Sequence, residues 1–174
     1  MIAHPMRLDF FGPYGCTNDA PWPYFVNSLQ AVLPGLYLWA VPVDGAYWIN
    51  YIGKTDRDFV TRLRDEQIPL WLSEKDGCLD NEQLRLGRRE DISVSQAALK
   101  ETLHVCCLFL ASCICDRPKR LTIEALLMHR VTMHGPAAKE FLSPSCRKAT
   151  PTRLLDEPLD VSAPAGVTLV GLTP

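Results

Sequence analysis

One β-hairpin signal, in residues 35–55 (GLYLWAVPVDGAYWINYIGKT), constrains the fold of this chain more than any other segment. Two runs rich in β-branched and aromatic residues flank Asp44-Gly45, a pair that favours a tight turn between antiparallel strands. Both faces of both runs are largely apolar, as in strands that are buried on each side. The pattern therefore predicts a hairpin that other elements of the fold cover on both faces.

Helix and strand signals follow the hairpin in alternation. Residues 55–69 have Phe59 and Leu63 at helical spacing, and Thr55 with Asp58 resembles a capping box at the start of a helix. The predicted helix ends before the proline that closes this range, because proline is not tolerated in a helix interior.

A second strand and a second helix are predicted farther along the chain. Residues 102–115 (TLHVCCLFLASCIC) favour a buried strand, although a buried helix has a similar pattern. Residues 120–135 (RLTIEALLMHRVTMHG) predict a helix that stops at Gly135. The order of hairpin, helix, strand and helix predicts an α/β (α+β) fold built on a small three-stranded antiparallel sheet flanked by helices.

The length of 174 residues fits a single domain with one core. We expect an irregular lead-in over residues 1–34 with a short helix near Phe25–Val32, because proline, glycine and aromatic residues dominate there. The domain proper is expected over residues 35–145, with residues 74–100 as a polar insertion. Residues 146–174 are expected to form a tail that packs on or near the domain.

Composition narrows the class of protein. A net charge of −2 and a pI near 6.1 are not typical of proteins that coat nucleic acid, yet 12 of the 18 basic residues are arginine, which pairs well with phosphate. No run reaches the ~18 apolar residues of a membrane helix, and the N-terminus lacks signal-peptide features, so a cytoplasmic protein without a membrane partner is expected. The seven cysteines match no common zinc spacing and are expected to be buried thiols.

Two segments of the hairpin resemble the signature of the GIY-YIG nuclease superfamily: Gly35-Leu36-Tyr37 on one strand and Tyr51-Ile52-Gly53-Lys54 on the next. That family carries G-I/L-Y and Y-I/V-G segments on adjacent antiparallel strands, an arginine on the next helix and a glutamate on a later helix. The counterparts here are Tyr37, Tyr51, Gly53, Arg62 and Glu124, in the family's order. The resemblance covers roughly residues 35–145.

The resemblance implies a metal-dependent endonuclease that hydrolyses phosphodiester bonds of nucleic acid, with DNA as the expected partner and Mg²⁺ or Mn²⁺ as the cofactor. The implied catalytic residues are Tyr37, Tyr51, Lys54, Arg62 and Glu124, with Glu124 as the metal ligand. Further expected nucleic-acid contacts are Gly53, Thr55, Arg64, Arg85, Arg88 and Arg89. The last three lie in the polar insertion, where a solvated loop is an equally good interpretation.

Strand geometry gives a check that is independent of the family. A two-residue turn at Asp44-Gly45 with regular pairing would set Tyr37 opposite Ile52 and leave the two tyrosines on opposite faces. A three-residue loop over residues 43–45, with a glycine bulge, would set Tyr37 opposite Tyr51. We therefore predict the three-residue loop.

Several of these residues can also be interpreted from their local sequence, without the family. Lys54 lies just before a helix start, where backbone N–H groups favour anions, and Arg62 lies on a different side of the helix from the apolar residues, with Arg64 as its competitor. Glu124 sits in a mostly apolar sector of its helix, and a buried carboxylate needs a partner. That partner is either a metal ion or an arginine, Arg120 or Arg62.

Two departures from the family pattern keep other functions open. Residues 141–147 lack the asparagine that family members commonly carry, and Glu66-Gln67 stand where a histidine often follows the helical arginine. The alternatives are a catalytically idle nucleic-acid-binding module and a structural or interaction protein. The sequence does not decide between a monomer and a homodimer.

Overall fold

The computed structural model describes residues 5–15, 25–67, 105–151 and 155–173. The architecture is mixed α/β, with a four-stranded antiparallel sheet, a two-stranded parallel sheet and helices. The elements in chain order are β1 Met6–Asp9, β2 Phe11–Gly15, a 3₁₀ turn Leu29–Val32, β3 Gly35–Val43, β4 Ala46–Thr55, α1 Val60–Gln67 (a short helix of the wide π type), β5 Cys107–Ser112, α2 Arg117–His134, α3 Pro136–Phe141, α4 Pro144–Arg147 and β6 Leu159–Ser162. No helix within these described ranges is long and apolar enough to cross a membrane.

The larger sheet has the strand order β2-β5-β3-β4. The hairpin β3-β4 and the strand β5 lie where the sequence predicted them, and α2 ends immediately before Gly135 as expected. The prediction of three strands was wrong, because β2 pairs with β5 as a fourth. The lead-in was expected to be irregular, yet it contributes β1 and β2; Pro13 is tolerated in β2 because that strand lies at the sheet edge.

The hairpin turn also differs from the prediction. Val43 pairs with Ala46, so the connection is the two-residue turn Asp44-Gly45, with φ of 50° and 80° as a tight hairpin turn requires. The expected three-residue loop was therefore wrong. The shift in register occurs instead inside β4, where Trp39 pairs with Tyr51 but Ala40 pairs with Ile49, which leaves one extra residue.

That extra residue is Asn50, a buried bulge residue held by the segment after α2. Its Nδ2 donates to the carbonyl of Phe141 at 3.0 Å, and its own carbonyl accepts from the backbone N–H of Ser143 at 2.7 Å. Because the bulge changes the alternation of β4 by one residue, Tyr37 and Tyr51 lie on the same face of the sheet. The shared face is as predicted, although a different device produces it.

The sheet separates two apolar clusters. On one face, Ile123 and Leu127 of α2 pack with residues of β3 and β4 such as Leu38. On the other face, Phe59 and α1 pack with the buried face of β3 that carries Tyr37 and Trp39. Because β4 lies at the edge of the sheet, side chains from α1 and α2 can meet at the end of this strand.

The helix caps follow from short polar side chains. Asp58 accepts from the backbone N–H and hydroxyl of Thr61 at 2.7 and 2.8 Å and so begins α1, while Thr55 bonds only locally, to Arg57. The predicted pairing of Thr55 with Asp58 in a capping box was wrong. Asp116 accepts from the backbone N–H of Lys119 at 2.8 Å and begins α2.

A buried guanidinium joins α2 to the segment after β5 and to the loop after β4. The side chain of Arg120 is 5% exposed, and it donates to Asp56 at 2.5 Å and to the carbonyls of Cys113 and Cys115 at 3.1 and 2.6 Å. An ion pair of this kind is costly to break from one side, because the remaining buried groups lose their partners.

We expect Arg120→Ala to lower the free energy of unfolding by about 3 kcal/mol, since two carbonyls and a carboxylate lose their donor. Urea denaturation measures this change. Arg117→Ala is the matched control, because Arg117 also faces Asp56 but is 73% exposed, and its loss should cost less than ~0.5 kcal/mol. Equal losses for both variants would show that the buried network carries no special stability.

Candidate functional site

A polar pocket of about 320 Å³ lies at the end of β4. The five residues that the resemblance implied as catalytic all line it, although they come from two strands and two helices. The full lining consists of Tyr37, Tyr51, Lys54, Thr55, Asp56, Arg57, Arg62, Glu66 and Glu124.

Tyr37 is fully buried, yet it borders the pocket. Its ring is stacked near that of Tyr51, with centroids 6.1 Å apart, and meets Phe59 edge-on at 6.5 Å. Its hydroxyl makes no hydrogen bond of good geometry with a described residue, although Arg62 and Tyr51 lie close enough to lower its pKa. Burial raises the pKa of Tyr37, and the neighbouring Arg62 guanidinium acts in the opposite direction. The hydroxyl is therefore neutral and available to a ligand in the pocket.

Gly53 is required beneath this tyrosine. The two residues face each other across the hairpin, and a Cβ at Gly53 would lie 2.4 Å from Cζ and 2.5 Å from the hydroxyl oxygen of Tyr37. The ring thus fills the space that a side chain would take. The glycine of the Y-I-G segment has a steric function in this fold, because it lets the tyrosine lie flat on the neighbouring strand.

Gly53→Ala is expected to displace the Tyr37 ring and to lower the free energy of unfolding by about 1–3 kcal/mol, as overpacking of a filled core does. Chemical denaturation checks the loss. Gly15→Ala is the control, because a Cβ at this second strand glycine meets no atom within 4 Å. A neutral effect of Gly53→Ala would contradict the contact.

The cations of the pocket are paired with two of its carboxylates. Lys54 donates to Asp56 at 2.6 Å, and this hydrogen bond is the main cause of the lowered pKa of Asp56. Arg62 lies 3.5 Å from Glu66, and Arg57 donates to the same carboxylate. Three cations thus face two carboxylates, so one positive charge of these five side chains is not balanced by the other four.

Glu124 is the exception among the carboxylates. Burial raises its pKa from 4.5 to about 7, with the charge of Lys54 acting against the rise. It makes no ion pair with any residue in the described parts of the chain. The two arginines that the sequence offered as structural partners are bound elsewhere, Arg120 to Asp56 and Arg62 to Glu66. Glu124 is therefore a carboxylate at the pocket with capacity for a cation.

The raised pKa of Glu124 predicts a pH dependence of stability. The folded protein holds this proton more tightly than the unfolded chain, so ionisation between the two pKa values, 4.5 and about 7, weakens the fold. The stability that protonated Glu124 contributes is fully present below about pH 4.5 and is lost as the pH rises through about 7.

The free energy of unfolding of Glu124→Gln, relative to that of wild type, should therefore increase by roughly 2 kcal/mol as the pH rises from about 5 to about 8. Urea unfolding at the two pH values measures the difference. Glu140→Gln, which changes an exposed carboxylate of α3, should run parallel to wild type. Parallel curves for all three proteins would show that Glu124 titrates normally.

The remaining predicted residues have different positions. Thr55 is buried at the pocket wall, and its hydroxyl accepts from the backbone N–H of Arg57. Arg64 is exposed, pairs with Asp65 and does not line the pocket. The three arginines expected in the polar insertion, Arg85, Arg88 and Arg89, lie outside the described residues.

Three pocket residues escaped the sequence-based prediction: Asp56, Arg57 and Glu66. The alternating charges directly after the Y-I-G-K segment are a signal that could have identified the first two, since a loop at a strand end is a common position for functional side chains. Glu66 follows Arg62 by four residues, a spacing at which opposite charges pair on a helix.

The described residues contain no cluster of thiols or other metal ligands that would form an alternative metal site. Three of the described cysteines, Cys106, Cys113 and Cys146, are buried as expected. No group of three or more His, Cys, Asp or Glu side chains able to hold a metal ion occurs among the described residues. A metal ion at the pocket would thus rely on Glu124 and water molecules.

No family model matches this chain, and neither the curated proteins nor the solved structures give a match. The chemistry of the pocket consists of one carboxylate without an ion pair, a buried hydroxyl without a well-formed hydrogen bond, and two guanidinium groups.

Proposed function

We propose that this chain is a GIY-YIG-type endonuclease that hydrolyses phosphodiester bonds of nucleic acid, DNA first among them, with Mg²⁺ or Mn²⁺. The observation that carries the proposal is the meeting of Tyr37, Arg62 and Glu124 in one pocket. These residues lie on β3, α1 and α2, and apolar packing alone does not require their polar groups to meet. The three strands β3, β4 and β5 with α1 and α2 support the family resemblance, to which β2 is an addition.

The residues present fit a hard divalent cation. Mg²⁺ is bound through one or two carboxylates and keeps several of its waters, so a single glutamate is a sufficient protein ligand. Glu124 is such a carboxylate, because it makes no ion pair within the described residues and burial disfavours its charge until a cation binds. A cation bound there supplies Lewis-acid polarisation of a phosphate oxygen.

Side chains of the protein can bind the substrate phosphate and orient the attacking water. Arg62 can fork onto two phosphate oxygens and stabilise the charge that develops on them. The Tyr37 hydroxyl, which is neutral and unpartnered, can accept a hydrogen bond from the attacking water and orient it. Lys54 and Tyr51 border the same space and add a cation and a second hydroxyl.

One specific observation favours a catalytically idle nucleic-acid-binding module as the second candidate. Arg62, the arginine proposed to stabilise the developing charge, is already paired with Glu66, as is Arg57, so it is not free for catalysis in this arrangement. An idle module binds nucleic acid but does not cleave it. A purely structural role is less well supported, because a core does not need an unpaired carboxylate beside an unpartnered hydroxyl.

End-labelled duplex DNA, single-stranded DNA and RNA, each incubated with the protein in Mg²⁺, in Mn²⁺ and in chelator, test the proposal. We expect metal-dependent cleavage of at least the duplex. Binding of the same probes without cleavage in either metal would favour the idle module. If the folded protein neither binds nor cleaves any of these probes, both functions are overturned.

A further inference from the structure

One carboxylate in the pocket bridges two arginines. Glu66 accepts from Arg57 on one oxygen and lies 3.5 Å from Arg62 on the other. Arg57 comes from the loop after β4, whereas Arg62 and Glu66 lie one turn apart on α1. All three side chains line the same pocket as Tyr37 and Glu124.

This arrangement resembles a phosphate held between two guanidinium groups. Guanidinium pairs with carboxylate and with phosphate through the same donor geometry, so an anion that takes one arginine on each oxygen marks a position where phosphate fits. Arg57 and Glu66 are 59% and 35% exposed, and ion pairs between such side chains are weak and exchange readily. Asp56 differs, because its partner Arg120 is only 5% exposed. Of the two paired carboxylates, Glu66 is the one that a ligand can displace.

We propose that Arg57 and Arg62 form a clamp for a substrate phosphate, and that Glu66 occupies this clamp in the free protein. Binding of phosphate requires Glu66 to leave both arginines. The assignment of the phosphate to nucleic acid rests on the proposed function, whereas the clamp itself is specific for a phosphate anion from any source. Arg57 becomes a binding residue, and Glu66 an internal competitor that weakens binding.

Glu66→Gln retains the shape of the side chain but removes the charge that competes with phosphate. Affinity for a phosphate-bearing ligand should rise about tenfold, because two guanidinium groups are then free to bind it. The gain should disappear when Arg57→Gln is added, since the clamp then has a single arginine. Asp65→Asn is the matched control: it removes the same charge from the same helix, but Asp65 pairs with Arg64 outside the pocket.

The experiment uses two probes on the wild type, Glu66→Gln, Asp65→Asn and Glu66→Gln/Arg57→Gln. Inorganic phosphate is titrated while the thermal unfolding temperature is followed, and a fluorescein-labelled DNA duplex is titrated without divalent metal. Unfolding curves without ligand establish that each variant is folded. Tighter binding of both probes by Glu66→Gln alone is the expected result.

Equal gains for Glu66→Gln and Asp65→Asn, or a gain that survives the loss of Arg57, would overturn the clamp, because net charge alone would then explain the effect. The two proposals fail separately. Phosphate binding enhanced in Glu66→Gln, with no duplex bound by any variant, would retain the clamp and count against the nuclease. Metal-dependent cleavage by wild type, with unchanged affinity in Glu66→Gln, would retain the nuclease and overturn the clamp.

Discussion

Replacing Glu124 with alanine should abolish metal-dependent cleavage, with a fall in the single-turnover rate of about a thousandfold or more. The reason is that Glu124 is the carboxylate of the pocket that makes no ion pair with a described residue, whereas Asp56 and Glu66 are engaged by cationic side chains. The rate of cleavage of a labelled duplex under single-turnover conditions measures the loss, and titration calorimetry with Mn²⁺ measures metal binding by the same preparation.

Glu140→Ala serves as the control for this loss, because Glu140 is an exposed carboxylate on α3 and does not line the pocket. It should cleave at the wild-type rate. Full activity in Glu124→Ala would remove Glu124 from the site and with it the expected role of the metal. Normal metal binding with lost cleavage would assign Glu124 to proton transfer or positioning instead.

Tyr37→Phe should lower the cleavage rate about a hundredfold to a thousandfold while leaving stability unchanged or higher by up to ~1 kcal/mol. The two effects have opposite signs because the buried hydroxyl makes no well-formed hydrogen bond with a described residue, so its burial costs free energy, yet it is the group offered to the attacking water. The ring keeps its contacts with Tyr51 and Phe59, so the pocket should retain its shape.

Chemical denaturation and single-turnover kinetics on the same samples test this trade of activity for stability. Tyr47→Phe is the matched control, because Tyr47 packs against Phe109 in the opposite cluster and should leave the rate unchanged. A marked loss of stability in Tyr37→Phe would show that the hydroxyl is bonded after all. An unchanged rate would remove the hydroxyl from the chemistry.

Patterns that extend over many residues predicted the fold well. The two apolar runs on either side of Asp44-Gly45 form β3 and β4, and the nearly apolar segment before Gly135 forms α2. Strand β2 was not predicted, because its proline and glycines are typical of irregular segments and only its position at the sheet edge makes them acceptable.

Features that depend on distant contacts were beyond the sequence. The bulge at Asn50 is fixed by bonds to Phe141 and Ser143, about ninety residues away, so hairpin rules alone led to the wrong loop. Helical spacing suggested Arg120 as the partner of Glu124, but Arg120 binds Asp56 from the loop after β4 instead. The bond between Arg62 and Glu66, in contrast, is local and could have been predicted from their spacing.

The most direct test of the central claim is the nicking of supercoiled plasmid by the purified protein in Mg²⁺ or Mn²⁺, with Glu124→Ala prepared and assayed in parallel. The pocket predicts conversion to open-circular plasmid by the wild type, no conversion in chelator and no conversion by the variant. Plasmid that stays supercoiled with folded wild-type protein in both metals would contradict the claim, as would equal nicking by the two proteins.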